Sequence, residues 1–206
     1  MKYEFTGETK LLFGITLKRI RATVSIESYN IAAGELGGWI ESEKNLEQSG
    51  NAWVYGDARV RGNARVYGNA RVYGDAQVYG DARVYGDARA YGDARVYGDA
   101  QVRGNARVYD NAWEKSPLYI QGTHYAFYMA TANKVGCGCQ VFTFAGWHEH
   151  WRKIAAKFGM TEEEQVEYVG YFNLACERYG KLEFKIDLTD GSGGEEPTEG
   201  EVEDDE

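Results

Sequence analysis

Along residues 51–113 the apolar positions recur every six residues, a period that no helix of 3.6 residues per turn produces. One position holds Val54, Val60, Val66, Val72, Val78, Val84, Ala90, Val96, Val102 and Val108; another holds Ala at every sixth residue from Ala52 to Ala112. A repeat of this kind takes precedence over local propensity. In the typical unit Ala and Val stand two apart, with Arg or Gln between them and Tyr or Arg after the Val. Side chains alternate along an extended chain, so Ala and Val point to one face and Arg and Tyr to the other. Gly followed by Asp or Asn then supplies a bend, because Gly accepts positive φ and Asp or Asn bonds its own turn. Each unit reads as a short strand and a corner.

Three such sides close a triangular coil of about eighteen residues, and successive coils stack at the strand spacing of about 4.8 Å. Stacking every eighteenth residue predicts three outward columns: Tyr55, Tyr73, Tyr91 and Tyr109; Tyr79 and Tyr97 beneath Arg61; and Tyr67 and Tyr85 beside Arg103. Arg side chains in neighbouring columns are expected to lie over rings or to meet the corner carboxylates. The repeat resembles the hexapeptide-repeat left-handed β-helix family, whose units place an aliphatic and a small residue four apart, as Val54 and Ala58 do. The resemblance implies left-handed winding and trimeric assembly. It implies little about activity, because function lives in sites grafted onto a fold.

The pattern changes at both ends. "ITLKRIRATVSI" reads as a strand after a hairpin signal at "LLFG", and Trp39, Ile40 and Leu46 are placed to lid the open coil. After Trp113 the six-residue period stops, and residues 116–144 read as two or three strands rich in aromatic and β-branched residues. A helix is predicted from about Gly146 to Phe158, with Trp147, His150, Trp151, Ile154 and Phe158 on one face. A second starts at Thr161, with Glu164 completing a capping box, and turns Val166, Val169, Phe172, Cys176 and Tyr179 inward. "KLEFKIDL" reads as a returning edge strand. The expected fold is mainly β: a short left-handed parallel β-helix of about three to four coils, with an N-terminal β cap and a C-terminal α+β domain. The domains are residues 1–50 (β cap), 51–116 (β-helix), 117–188 (small α+β domain) and 189–206 (acidic tail).

Trp39 in "GELGGWIE", the tyrosine-rich hexads, "SPLYIQGTHY", Gly138-Cys139, "WHEHW" and the Thr-Glu-Glu-Glu helix start follow one another in an order that resembles phage and prophage polymer-forming, hexapeptide-repeat proteins. That likeness implies a phage-type origin and carries no assigned activity.

The charge sharpens the picture only when divided. The formal net charge is −9, but residues 187–206 hold ten acidic side chains and no basic one, leaving the rest of the chain at about +1. So polar a tail cannot bury enough apolar surface to offset its ordering entropy, and disorder is expected beyond about Leu188. The repeat itself holds nine Arg and seven Asp, a mixed surface whose charges pair internally and disfavour nucleic acid as a partner. The chain shows no membrane-length apolar run and no basic-then-apolar leader, and its three cysteines make no disulfide framework. A cytoplasmic protein, in the host cell if phage-encoded, is expected.

Candidate chemistry is confined to the unrepetitive ends. Cys137, Cys139, His148 and His150 are zinc-type ligands, but the two histidines stand two apart on a predicted helix, about 200° around it, and do not converge. Cys139 with His124 or His150 as base has the residue types of a thiol nucleophile; a core cysteine and a helix-face histidine explain the same residues. Hexapeptide acyltransferases commonly carry a histidine near or in a coil loop, whereas residues 51–113 contain no His. The sequence therefore points away from an enzyme, names no catalytic residue and implies no cofactor or metal. It points instead to a polar pocket for a small anionic ligand such as a nucleotide, built from Arg103, Arg107 and Tyr109 of the last coil with Gln121, Thr123, His124 and Tyr125. The expected function is that of a non-enzymatic, phage-type homo-oligomer, with a trimer favoured, acting in counter-defence by sequestering a host nucleotide signal or blocking a host protein. The alternatives are a structural or assembly spacer and, less favoured, an acyltransferase-like enzyme.

Overall fold

The computed structural model describes residues 1–188; the acidic tail, with the disorder expected of it, lies outside the described residues. The chain is mainly β, with a parallel β-solenoid of about four turns followed by a region containing two helices. By packing it divides into two compact units, Met1–Val141 and the remainder from Phe142.

In the first unit a hairpin of β1 (Tyr3–Leu12) and β2 (Ile15–Ala22) turns at Phe13 and Gly14, both at positive φ, as a tight two-residue hairpin loop requires. Strand β3 (Leu36–Ile40) pairs antiparallel with β2 and parallel with the solenoid. One solenoid face continues from β3 through β5 (Arg59–Val60), β8 (Gln77–Val78), β11 (Arg95–Val96) and β14 (Ala112–Trp113). The second consists of β4 (Trp53–Val54), β7 (Arg71–Val72), β10 (Arg89–Tyr91) and β13 (Arg107–Tyr109). The third consists of β6 (Arg65–Val66), β9 (Arg83–Val84) and β12 (Gln101–Val102). Partners such as Val54 and Val72, or Val66 and Val84, differ by one eighteen-residue lap.

Every Val of the hexads, and Ala90 in the same position, has zero exposure, as do the hexad alanines from Ala52 to Ala106. The corner glycines from Gly56 to Gly104 all have positive φ, and most sit directly beneath the next lap: a Cβ on Gly80 would lie 3.0 Å from the Gly98 nitrogen. Corner side chains bond along the stack: Asn51 Nδ2 donates to Asn69 Oδ1 at 3.2 Å, Asn69 Nδ2 to Asp87 Oδ1 at 3.2 Å, and Asn63 Nδ2 to Asp81 Oδ1 at 3.0 Å.

The outward columns form as expected. Rings stack in the pairs Tyr67–Tyr85 (4.9 Å), Tyr73–Tyr91 (5.0 Å), Tyr79–Tyr97 (5.1 Å) and Tyr91–Tyr109 (5.2 Å), and the Arg61 guanidinium lies 4.1 Å from the Tyr79 ring centroid. Arg59 approaches Asp75 at 3.8 Å.

Two features depart from the hexad reading. Residues 36–54 do more than lid the stack: Ile40 pairs with Val60 and Leu46 bridges Val66, so they wind two sides of a first turn without the consensus and join Val54, the first hexad Val, on the third. At the far end, Asp110 and Asn111 both adopt positive φ and shorten the lap by one residue. Trp113, only 6% exposed, therefore occupies the place of a Val, and Ala112, expected inside, is exposed.

The edge of the first turn is covered from the N-terminus. The buried Lys2 amine donates to the Ala52 carbonyl at 2.7 Å and the Ser49 carbonyl at 3.3 Å, and the Tyr3 hydroxyl donates to the Leu46 carbonyl at 2.8 Å. Burial lowers the Lys2 pKa to about 8 against the opposing pull of Glu47. Beyond the last turn lies a sheet of four strands, one more than expected: β15 (Tyr119–Gln121), β16 (Ala126–Thr131), β17 (Lys134–Cys137) and β18 (Gln140–Thr143).

In the second unit, α1 (Phe144–Lys157) starts two residues early because Thr143, not a later residue, caps it, accepting from the Gly146 nitrogen at 2.9 Å. Helix α2 (Glu162–Arg178) has the predicted Thr161/Glu164 capping box. Trp147 stacks on Phe172 at 5.6 Å, with Trp151, Ile154, Val169 and Cys176 also buried. His150 is exposed rather than on the inner face; Val166 is 60% exposed, the inner positions being taken by Tyr168 and Ala175. The expected edge strand is instead a 3₁₀ turn, Leu182–Phe184, and Asn173 fastens the following chain through bonds of 2.8 Å to the nitrogen and oxygen of Ile186. No helix among the described residues is long and apolar enough to cross a membrane.

Candidate functional site

A cavity of about 250 Å³ opens at the upper solenoid turns, lined by Asp87, Arg89, Asn105, Arg107, Gln121, His124, Tyr125, Ala126, Gly138 and Cys139. Solenoid winding supplies half of it. Arg89 and Arg107 are register partners on β10 and β13, so their backbones lie one strand spacing apart, about 4.8 Å, with both side chains outward. Asp87 and Asn105 occupy the same corner on consecutive laps, two residues before each Arg. Asp87 is steadied by the donation from Asn69.

The other half comes from the turns joining the strands beyond the solenoid. Tyr119 packs against the Gly104 corner, where an added Cβ would collide with its hydroxyl oxygen. That hydroxyl accepts from the Asn105 nitrogen at 3.4 Å and donates to Gln121 Oε1 at 3.0 Å. Gln121 is thereby oriented, its Nε2 donating to the Gly122 carbonyl at 3.3 Å. His124 and Tyr125 follow, their rings 6.3 Å apart. Tyr125 lies against Gly138, where positive φ and the missing side chain allow the approach.

Behind this wall Tyr128 is buried over Gly136, its register partner, and burial raises its phenol to about 12 although the Arg107 charge acts in the opposite direction. Burial likewise raises Cys137 to about 12, with Cys139 adding to the effect. Cys137 and Cys139, two residues apart, do not share a face. The left-handed turn at Gly138 separates them, leaving Cys137 buried and Cys139 exposed at the cavity.

Of the residues read from the sequence, the cavity gathers Arg107, Gln121, His124 and Tyr125. Arg103, Tyr109 and Thr123 do not line it. Arg103 is exposed in the column of Tyr67 and Tyr85, Tyr109 stacks on Tyr91 with the Lys134 amine 5.5 Å from its ring, and Thr123 is exposed in the β15–β16 turn. Asp87, Arg89 and Asn105 were not anticipated, although the eighteen-residue step that linked the tyrosines also links Arg89 to Arg107 and Asp87 to Asn105. In the sequence Cys139 reads only as a nucleophile or a metal ligand.

Among the described residues no group of three or more His, Cys, Asp or Glu is arranged to hold a metal ion. In the second unit, His148 Nδ1 lies 2.8 Å from the Phe184 carbonyl oxygen. A more open cavity of about 370 Å³ lies at the N-terminal end beside Lys2, Gln48 and Asn51. The Lys2 amine there is committed to backbone carbonyls.

The family model described as YdcK Beta solenoid repeat matches residues 64–76, 76–91 and 88–104, a stretch within the central turns. The chain is thus similar to that repeat over part of its length, in agreement with the parallel winding. A search of curated proteins finds no match.

Proposed function

We propose that this repeat β-helix protein is a non-enzymatic binding protein that holds a small anionic ligand in the cavity beside β10 and β13. One observation carries the reading: Arg89 and Arg107, side by side in register, line the same space as His124 and the oriented Gln121. Paired guanidinium groups are strong, geometrically specific partners for oxyanions. On the hexapeptide-repeat, phage-type reading of the sequence, retention of such a ligand is counter-defence by sequestration of a host nucleotide signal. The likeness to hexapeptide-repeat β-helix proteins also supports a homotrimer, as does the thin Val and Ala interior, which leaves the outer tyrosine columns to bury further apolar surface.

Thermal-shift measurements with a panel of nucleotides, followed by chromatography of the recovered nucleotide, test this. A raised melting point with intact nucleotide is expected, together with its loss in His124→Ala and Arg107→Ala. Chemical conversion of the nucleotide would make the protein an enzyme. Absence of any shift would favour a structural spacer or a protein-blocking role, and sedimentation equilibrium gives the oligomer order independently.

A further inference from the structure

Resting on that anion-binding reading, we infer that the ligand is the phosphate monoester of a small polyol: a pentose phosphate, taken free or as the sugar-phosphate end of a mononucleotide. Three features of the cavity point to this chemistry. The first is the doubling of the clamp. A single guanidinium fork already satisfies both oxygens of a carboxylate, whereas Arg89 and Arg107, one strand spacing apart, match an anion with oxygens on several sides. A tetrahedral phosphate has that shape.

The second is Asp87. A carboxylate beside two arginines repels a second negative group on the ligand, so a bisphosphate or a dicarboxylate is a poor fit. With Oδ1 accepting from Asn69, the remaining lone pairs are acceptors for hydroxyl groups, and Asn105 one lap above adds an amide. The third is volume. About 250 Å³ falls below the roughly 300–1,000 Å³ typical of pockets that enclose drug-sized ligands. The space suits a pentose phosphate and leaves the base of a nucleotide outside.

Cys139 provides a reporter at the site itself. It lines the cavity and is exposed, whereas Cys137 and Cys176 are buried and their thiols are raised to about 12 and about 11 by burial. Alkylation of the full chain by iodoacetamide, followed by mass spectrometry, therefore reads occupancy of this cavity and no other. Ribose 5-phosphate and adenosine monophosphate are each expected to slow Cys139 labelling at concentrations about tenfold below those at which inorganic phosphate does, and ribose is expected to have no effect. Protection by ribose 5-phosphate alone identifies the free sugar phosphate as the source. Stronger protection by the nucleotide identifies the nucleotide.

Arg107→Gln should abolish protection by every phosphate. Asp87→Asn preserves the shape and the acceptor for Asn69, and should remove the preference for the pentose phosphate over inorganic phosphate while phosphate still protects. Equal protection by malonate, inorganic phosphate and ribose 5-phosphate in the unaltered protein would overturn the polyol phosphate and leave anion binding standing. Protection by no anion at all would overturn both. Unchanged circular dichroism melting of each variant separates loss of binding from loss of fold.

Discussion

Trp113 lies in register with Val96, seventeen residues away, where the laps before it advance by eighteen. The missing residue puts a large ring in the place of a small one at the end of the stack, where no further lap covers the interior. Trp113→Ala should therefore destabilise the protein by about 3–5 kcal/mol, the cost of emptying a large aromatic site. The decrease is read from guanidinium unfolding. An outcome within about 0.5 kcal/mol of the unaltered protein, as for ordinary surface substitutions, would show that Trp113 does not close the core.

That shortened lap also marks where the sequence stops being legible. Between Val54 and Val108 one physical constraint repeats: a small interior, an outward pair and a glycine corner lying close under the next lap. The first turn escaped because Ile40 and Leu46 stand twenty residues from Val60 and Val66, not eighteen, and the corner after Ile40 carries no glycine. The last escaped because Asp110 and Asn111 adopt the left-handed conformation without being glycine, and the Asn111 side chain is held there by accepting from the Ala132 nitrogen at 3.2 Å. Arg107, Gln121, His124 and Tyr125 were readable as polar residues next to the end of the stack. Arg89 was within reach of the same eighteen-residue step that aligned the tyrosines, whereas the place of Cys139 at the cavity depends on the turn at Gly138. In the helical unit, periodicity placed Trp147, Trp151 and Phe172 correctly. It could not tell His150 and Val166 from their buried neighbours, because both lie on the margin of the apolar stripe.

Two glycine replacements separate conformational need from mere absence of a side chain. Gly80 has φ of +72°, and an added Cβ would meet the Gly98 nitrogen at 3.0 Å and the Gly98 oxygen at 3.3 Å. Gly80→Ala should cost at least about 1–2 kcal/mol from the left-handed backbone alone. Gly170 lies inside α2 with nothing within 4 Å of an added Cβ, so Gly170→Ala should add about 0.5–1 kcal/mol to the stability of that unit. Urea melts followed by helical ellipticity check the pair; equal effects of the same sign would contradict it.

The stacked pair Tyr67 and Tyr85, with ring centroids 4.9 Å apart and planes within 2°, is a ladder contact between laps that are already hydrogen-bonded. A double-mutant cycle with Tyr67→Leu and Tyr85→Leu should give a coupling energy of about 0.5–1.5 kcal/mol. A coupling indistinguishable from zero would make the columns a consequence of winding rather than a contributor to it.

Alkali should unfold the solenoid in a defined window. Burial raises Tyr55 and Tyr128 from 10.0 to about 12, and Cys137 from 9.0 to about 12. These groups hold their protons more tightly in the folded chain, so the stability they contribute is complete below pH 9 to 10 and is lost as pH rises through about 12. Lys2 acts in the opposite sense. Burial lowers its amine from 10.5 to about 8, so the unfolded chain binds the extra proton between those values and the Lys2 contribution rises with pH across that interval. Stability relative to Lys2→Met should therefore increase from pH 8 to 10.5, before the tyrosines dominate. Above pH 10 the tyrosinate absorbance of the buried rings should lag and then appear together with loss of far-ultraviolet ellipticity. Complete ionisation of all sixteen tyrosines below pH 11 with the ellipticity intact would contradict the burial of Tyr55 and Tyr128.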